Sequence, residues 1–212
     1  MSNLLSNVLN ILFNFTNDWG VAIVSLTVIV KVILVPLSIK QKIAISKQQE
    51  LTSGINEIKK KYKDDESKMN EEINKYYTKN GSSLFGCFIG LLQLPILITL
   101  FKVIKTVNID TGSIIVPWVS SLKSYDTSYI IPIIYTLVSL APSLLDYMGY
   151  LKGFNKDKPL KQNIVNVIVM SIIITFKSPV ALGIYLITSG LVSVVEEIIY
   201  RLIIKKKRLM EI

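Results

Sequence analysis

Residues 19–37 read WGVAIVSLTVIVKVILVPL. The stretch is apolar almost throughout and long enough to cross a bilayer as a helix, since about 20 residues at 1.5 Å each span the ~30 Å hydrocarbon core. It nevertheless carries Lys31 in its inner half. Centring a charge in such a helix costs roughly 2.5–3.5 kcal/mol on insertion scales. Two readings fit. The side chain can snorkel, because about six residues, or ~9 Å, separate Lys31 from the end of the span. Alternatively it is a cation in a hydrophilic pocket within the membrane, and intramembrane charges are functional by default.

The rest of the 212-residue chain supports a membrane setting. Half of its residues are hydrophobic and gathered into blocks, and the mean hydropathy is +0.48. The net charge is +9 and there is no histidine, which excludes histidine triads, His-ligated zinc and His proton relays. A single cysteine, Cys87, excludes an internal disulfide and reads as a small packing residue. No nucleotide-binding glycine loop or metal-ligand cluster is present, so no cofactor is expected.

Five apolar spans are expected, at 19–37, 84–101, 129–148, 162–176 and 180–199. Between them lie a charged segment at 38–83, a polar linker at 102–128 and a loop at 149–161, with a basic tail at 200–212. Segment 38–83 carries ten lysines, residues 147–163 carry four, and the tail carries five basic residues. The positive-inside rule places these in the cytoplasm and the N-terminus outside. The fourth span is short, which favours local thinning of the bilayer over a tilted hairpin.

Residues 1–18 lack the basic start and cleavage site of a signal peptide. Their apolar residues recur at helical spacing, which fits either an amphipathic extracytoplasmic helix or an extension of the first span. Segment 38–83 reads as a helical hairpin. Ile43, Leu51, Ile55, Ile58 and Tyr62 stripe one helix, and Met69, Ile73 and Tyr76 or Tyr77 stripe the other. Asp64 or Asp65 is available to cap the second helix. The hairpin is either a mobile arm over the cytoplasmic mouth or a solvated linker. The fold class is thus all-α integral membrane, with five transmembrane helices and a cytoplasmic hairpin.

Several polar residues share the membrane interior with Lys31. Ser25, Thr27, Gln93, Thr188 and Ser189 lie at mid-depth and can hydrate a cation without neutralising it. Asp146, Glu196 and Glu197 fall near the cytoplasmic ends, so Lys31 reads as an unpaired cation that invites a visiting anion. Pro36, Pro95, Pro132, Pro142 and Pro179 favour helices that splay and leave a groove. The tail sequence KKKR suits anionic lipid, and equally ribosomal RNA phosphates.

The ordered motifs resemble the YidC/Oxa/Alb family of membrane protein insertases. In the first span they are Trp19-Gly20, Ala22-Ile23, Leu26-Thr27, Lys31, Pro36-Leu37 and Lys40-Gln41. Next come Lys61 to Asp65, Lys68, Glu71, Tyr77 and Gly81, then Gly86-Cys87, Leu91 to Gln93 and Pro95-Ile96. Tyr129 to Pro132 resembles the third span, and Pro179, Leu182, Tyr185, Ser189 and Leu191 the fifth. The family usually has arginine where Lys31 stands, proline at Ile89, tryptophan at Leu186 and asparagine at Gly190. The resemblance is to the short, Gram-positive or organellar forms. It implies five spans around a hydrophilic groove, with Lys31, Thr27, Gln93, Thr188 and Ser189 lining it. It further implies that Lys31 attracts acidic residues of nascent membrane proteins, without ATP or covalent chemistry. Insertion would proceed alone or beside the Sec translocon, as a monomer. A transporter or channel with Lys31 as an anion site is the alternative, and the absence of an inverted repeat argues against it.

Overall fold

The computed structural model describes residues 2–63, 65–80, 98, 101–102, 111–145 and 160–210. Six helices are described in full: α1 (Ser2–Thr16), α2 (Trp19–Lys61), α3 (Glu66–Asn80), α4 (Ile130–Leu145), α5 (Leu160–Thr175) and α6 (Val180–Met210). Helix α2 packs on α1, α3 and α6, while α4 packs on α5 and α6. Two helices, α2 and α6, are long and apolar enough to cross a membrane, and α4 and α5 are shorter apolar helices. The expected second span, with Gln93, Pro95 and Cys87, lies almost wholly outside the described residues, as do Asp146 and Gly81.

The N-terminal segment is a helix of its own, not an extension of the first span. Asn17 takes a left-handed φ of 52°, a conformation that asparagine tolerates and that stops a helix. Asp18 then caps α2, its Oδ1 accepting the Val21 N–H at 2.9 Å. Leu9 of α1 is fully buried, and Phe13 stacks on Trp19 with ring centroids 4.0 Å apart.

Helix α2 continues through Pro36 without a break, so the first span and the first arm of the hairpin are one helix of 43 residues. The boundary expected at residue 38 is therefore a change of composition, not of backbone. Proline removes one N–H, and membrane helices tolerate that loss. Asp65 caps α3 by accepting the Lys68 N–H at 3.0 Å. The hairpin closes where Tyr76 lies against Gly54, whose missing side chain leaves room for the phenol ring. Tyr77 remains exposed. The tail expected at 200–212 is likewise helical as far as Met210, a continuation of α6.

The dry core sits at the N-terminal ends of α2 and α6. Trp19, Ala22, Ile23 and Leu26 of α2 bury against Val180, Ala181, Ile184 and Tyr185 of α6, with Val116, Val119 and Leu122 of the linker over them. The linker is tied to both helix ends. Ser113 Oγ donates to Asp18 Oδ1 at 2.6 Å and the Ile114 N–H donates to Oδ2 at 2.7 Å. At α6, the carbonyls of Ser124 and Leu122 accept the Val180 and Ala181 N–H groups, both at 2.9 Å. These are the orphan donors of a helix start. A Cβ on Gly20 would stand 2.1 Å from Ser113 Oγ, so the close approach of linker and helix requires glycine there.

Burial opposes ionisation of Asp18, but the Ser113 hydroxyl and the Ile114, Val21 and Gly20 amides outweigh it and hold its carboxyl below the ordinary range. A lowered folded-state pKa contributes stability in full above the unfolded value of about 3.9, and the contribution is lost as pH falls through the folded value. Asp18→Asn should lower stability in detergent by about 1–2 kcal/mol at neutral pH. Thermal melts between pH 3 and 7 should show the difference from the unsubstituted chain shrinking at the acid end.

Candidate functional site

Below the dry core, the contact between α2 and α6 changes from apolar to polar. On α2 the residues Thr27, Lys31, Ser38, Lys42 and Ser46 recur at spacings of four or seven, which places them on one helix face. Their partners on α6 follow in the same order, so the two helices run parallel. Lys31 Nζ donates to Ser193 Oγ at 3.0 Å. Ser38 Oγ donates to Glu196 Oε2. Lys42 Nζ pairs with Glu197 Oε2 at 2.6 Å, and Arg201 Nε holds the other oxygen of Glu197 at 2.7 Å. The Ser46 and Tyr200 hydroxyls share the next hydrogen bond. From Lys31 to Ser46 the seam covers about 22 Å of helix axis at 1.5 Å per residue.

The side chain of Lys31 is thus directed at α6. The α2 residues flanking that face, Val28, Ile29, Val32 and Ile33, are exposed apolar side chains. Glu196 lies one turn beyond Ser193 on α6, where it accepts from Ser38, and Lys42 follows further along the seam on Glu197. The cation therefore stands among a hydroxyl, a nearby carboxylate and a second cation, rather than alone.

The other expected site residues fall as follows. Thr27 and Thr188 are buried, one on each helix, but each hydroxyl donates to its own helix: Thr27 Oγ1 to the Ile23 carbonyl at 2.6 Å, Thr188 Oγ1 to the Ile184 carbonyl at 2.8 Å. Each has its single proton engaged, so either oxygen could act towards a cation only as an acceptor. Ser189 is buried one turn before Ser193, and Gln93 lies outside the described residues. Ser193 and Glu196 were not among the expected site residues. The spacing Ser189, Ser193, Glu196 was the available signal, since steps of four and three stay on one helical face. Among the described residues, no group of three or more His, Cys, Asp or Glu could hold a metal ion.

Comparison with known proteins gives a consistent picture. Residues 11–207 match the family described as "60Kd inner membrane protein". "Membrane protein insertase YidC" of Caldanaerobacter subterraneus is 33% identical over 201 residues, covering 92% of this chain and 91% of that protein. The protein of the same name from Fusobacterium nucleatum is 31% identical and covers 92% and 94%. That of Aquifex aeolicus is 40% identical over 131 residues, which are 61% of this chain and 26% of that longer protein. A solved structure described as "Active YidC insertase crystal structure with the first transmembrane domain resolved" superposes with a TM-score of 0.70 at 26% identity. It covers 92% of this chain and 44% of the solved one.

The seam's ion pairs should be measurable. Lys42 and Glu197 side chains are 17% and 20% exposed, so solvent screens the pair only in part. A double-mutant cycle of Lys42→Ala and Glu197→Ala should give a coupling of about 1 kcal/mol or more in thermal melts. Glu197→Ala alone should cost more than Lys42→Ala, because the Glu197 carboxylate holds two cations, Lys42 and Arg201.

Proposed function

The chain belongs to the YidC family of membrane protein insertases, a family that works without enzymatic chemistry, and we propose that it uses Lys31 as the transient counter-charge for acidic residues of segments being inserted. The observation that carries this reading is the position of Lys31. It faces α6 at the top of the polar seam, directly beneath the apolar core that joins the starts of α2 and α6. Polar side chains line the seam on one side of Lys31, and apolar packing lies on the other.

In this reading five spans surround a groove open to the cytoplasm and to lipid, with the N-terminus outside and the tail inside. Gln93 of the second span lines the groove with Lys31, Thr27, Thr188 and Ser189. A polar client segment crossing hydrocarbon carries a cost of several kcal/mol for each unsatisfied backbone group. From Trp19 to Lys31 is about 18 Å of helix axis. A groove wet as far as Lys31 confines the dry passage to that outer part. The client's acidic residues are drawn to Lys31, and its apolar segment then leaves towards lipid, favoured by about 25 cal/mol for each Å² of apolar surface removed from water. Exposed apolar side chains on α2, α4 and α5, among them Val32, Ile33, Leu137 and Ile173, suit contact with lipid or client.

The clients are nascent membrane proteins, met alone or beside the Sec translocon, and one copy suffices for a groove that opens to lipid. The basic residues of the tail suit anionic lipid at the cytoplasmic surface and ribosomal phosphates.

Lysine differs from arginine in being a compact charge without a bidentate fork. Lys31→Arg should therefore preserve insertion of a client with an acidic tail, while Lys31→Ala should reduce it about tenfold, the equivalent of about 1.4 kcal/mol. Protease protection of the client's tail in reconstituted vesicles reads the result. Equal insertion by Lys31→Ala and the unsubstituted chain would exclude the electrostatic role.

A further inference from the structure

The seam contains one buried carboxylate that client capture by Lys31 leaves unexplained. Glu196 is 7% exposed. Its Oε2 accepts the Ser38 hydroxyl, while Oε1, also buried, accepts no hydrogen bond among the described residues. A half-satisfied buried carboxylate is costly, and the natural compensation is a nearby cation. Glu197 has such cations, since Lys42 and Arg201 hold its two oxygens. For Glu196 the cation with no carboxylate of its own in that seam is Lys31. Its ammonium rests on Ser193, one helical turn above Glu196 on the same face of α6.

We propose that Glu196 is a positioning residue for client recognition: it is the resident counter-charge of Lys31, and a client carboxylate must displace it. The proposal rests on the reading of Lys31 as the client's counter-charge. Between clients, the pair spares the membrane interior an isolated ammonium. When a client arrives, one carboxylate replaces another, so capture is an exchange and not the filling of an empty site. Ser38 keeps Oε2 during the exchange, so the displaced Glu196 retains a donor. The exchange sets a threshold. A tail with one acidic residue competes poorly with a tethered carboxylate, whereas several acidic residues raise the local concentration of competitors. Selectivity for strongly acidic tails then comes from competition within the groove and not from the shape of the site.

The test uses a single-span client whose tail carries one Asp, compared with the same tail carrying Asn in its place. The readout is the ratio of the two inserted fractions in vesicles reconstituted with the full chain. Glu196→Gln is made both in the unsubstituted chain and in Lys31→Arg, where the groove cation stays charged whatever its surroundings. In the arginine background Glu196→Gln should raise the ratio roughly threefold or more, as expected for removing one competing charge from the neighbouring helix turn. Glu196→Asp should restore the low ratio. A ratio that stays level or falls in that background overturns the proposal. If Glu196→Gln does not accumulate in the membrane, Ser38→Ala decides. It frees Oε2 to turn towards Lys31 and should lower the ratio, and an unchanged ratio overturns the proposal. Lys31→Ala separates the two levels of inference: it should abolish the Asp preference, and a preference that survives it overturns the underlying reading as well.

Discussion

A lysine in the middle of an apolar helix can be kept only if something other than lipid solvates it. In this chain the solvating element is α6, which runs parallel to α2 and presents Ser193 to Lys31. Once that contact is required, much else follows. The two helices must stay in register from Lys31 to Ser46, or every hydroxyl and charge in the seam loses its partner at once. Glu197 is held between Lys42 and Arg201, so the register is defended by charge-assisted hydrogen bonds, which are stronger than neutral ones.

Register along a parallel helix pair needs an anchor at one end, and the linker supplies it. Asp18 caps α2 and binds Ser113 and Ile114. The backbone of Leu122 and Ser124 caps α6. One short segment thus fixes both helix starts relative to each other, above a core that contains Trp19, Ile23, Leu122 and Tyr185. At the level of α4, Gly183 admits the Ile131 side chain at a distance that a Cβ would not allow, which brings α4 against α6 beside the same core. The result is asymmetric. One end of the α2/α6 pair is dry and closed by packing, and the other is polar.

The sequence was most informative where composition alone decides. The apolar stretches 19–37 and 180–199 and the capping role of Asp65 are local features, and the structure has helices over both stretches and the cap at Asp65, whereas Ile43 of the expected hairpin stripe is exposed. The continuous helix through Pro36 was not legible, because proline in a membrane helix is compatible with both a break and a passage. Nor was the separate helix at residues 2–16, since its apolar period is the same whether or not Asn17 interrupts it.

For the site, the sequence by itself determined that a cation lies in the apolar stretch 19–37 and offered hydroxyls and an amide as its expected companions. It could not decide which of them meet it. Thr27 and Thr188 have the right depth, but their hydroxyls turn back to their own helix carbonyls. Ser193, which lies 162 positions along the chain from Lys31, comes to it only because α2 and α6 are clamped in parallel at their starts. Depth along a helix axis is a property of local sequence. The angle at which a side chain leaves that axis, and what stands opposite, is set by the packing of a second helix, and here that packing gives Lys31 the Ser193 hydroxyl as its partner.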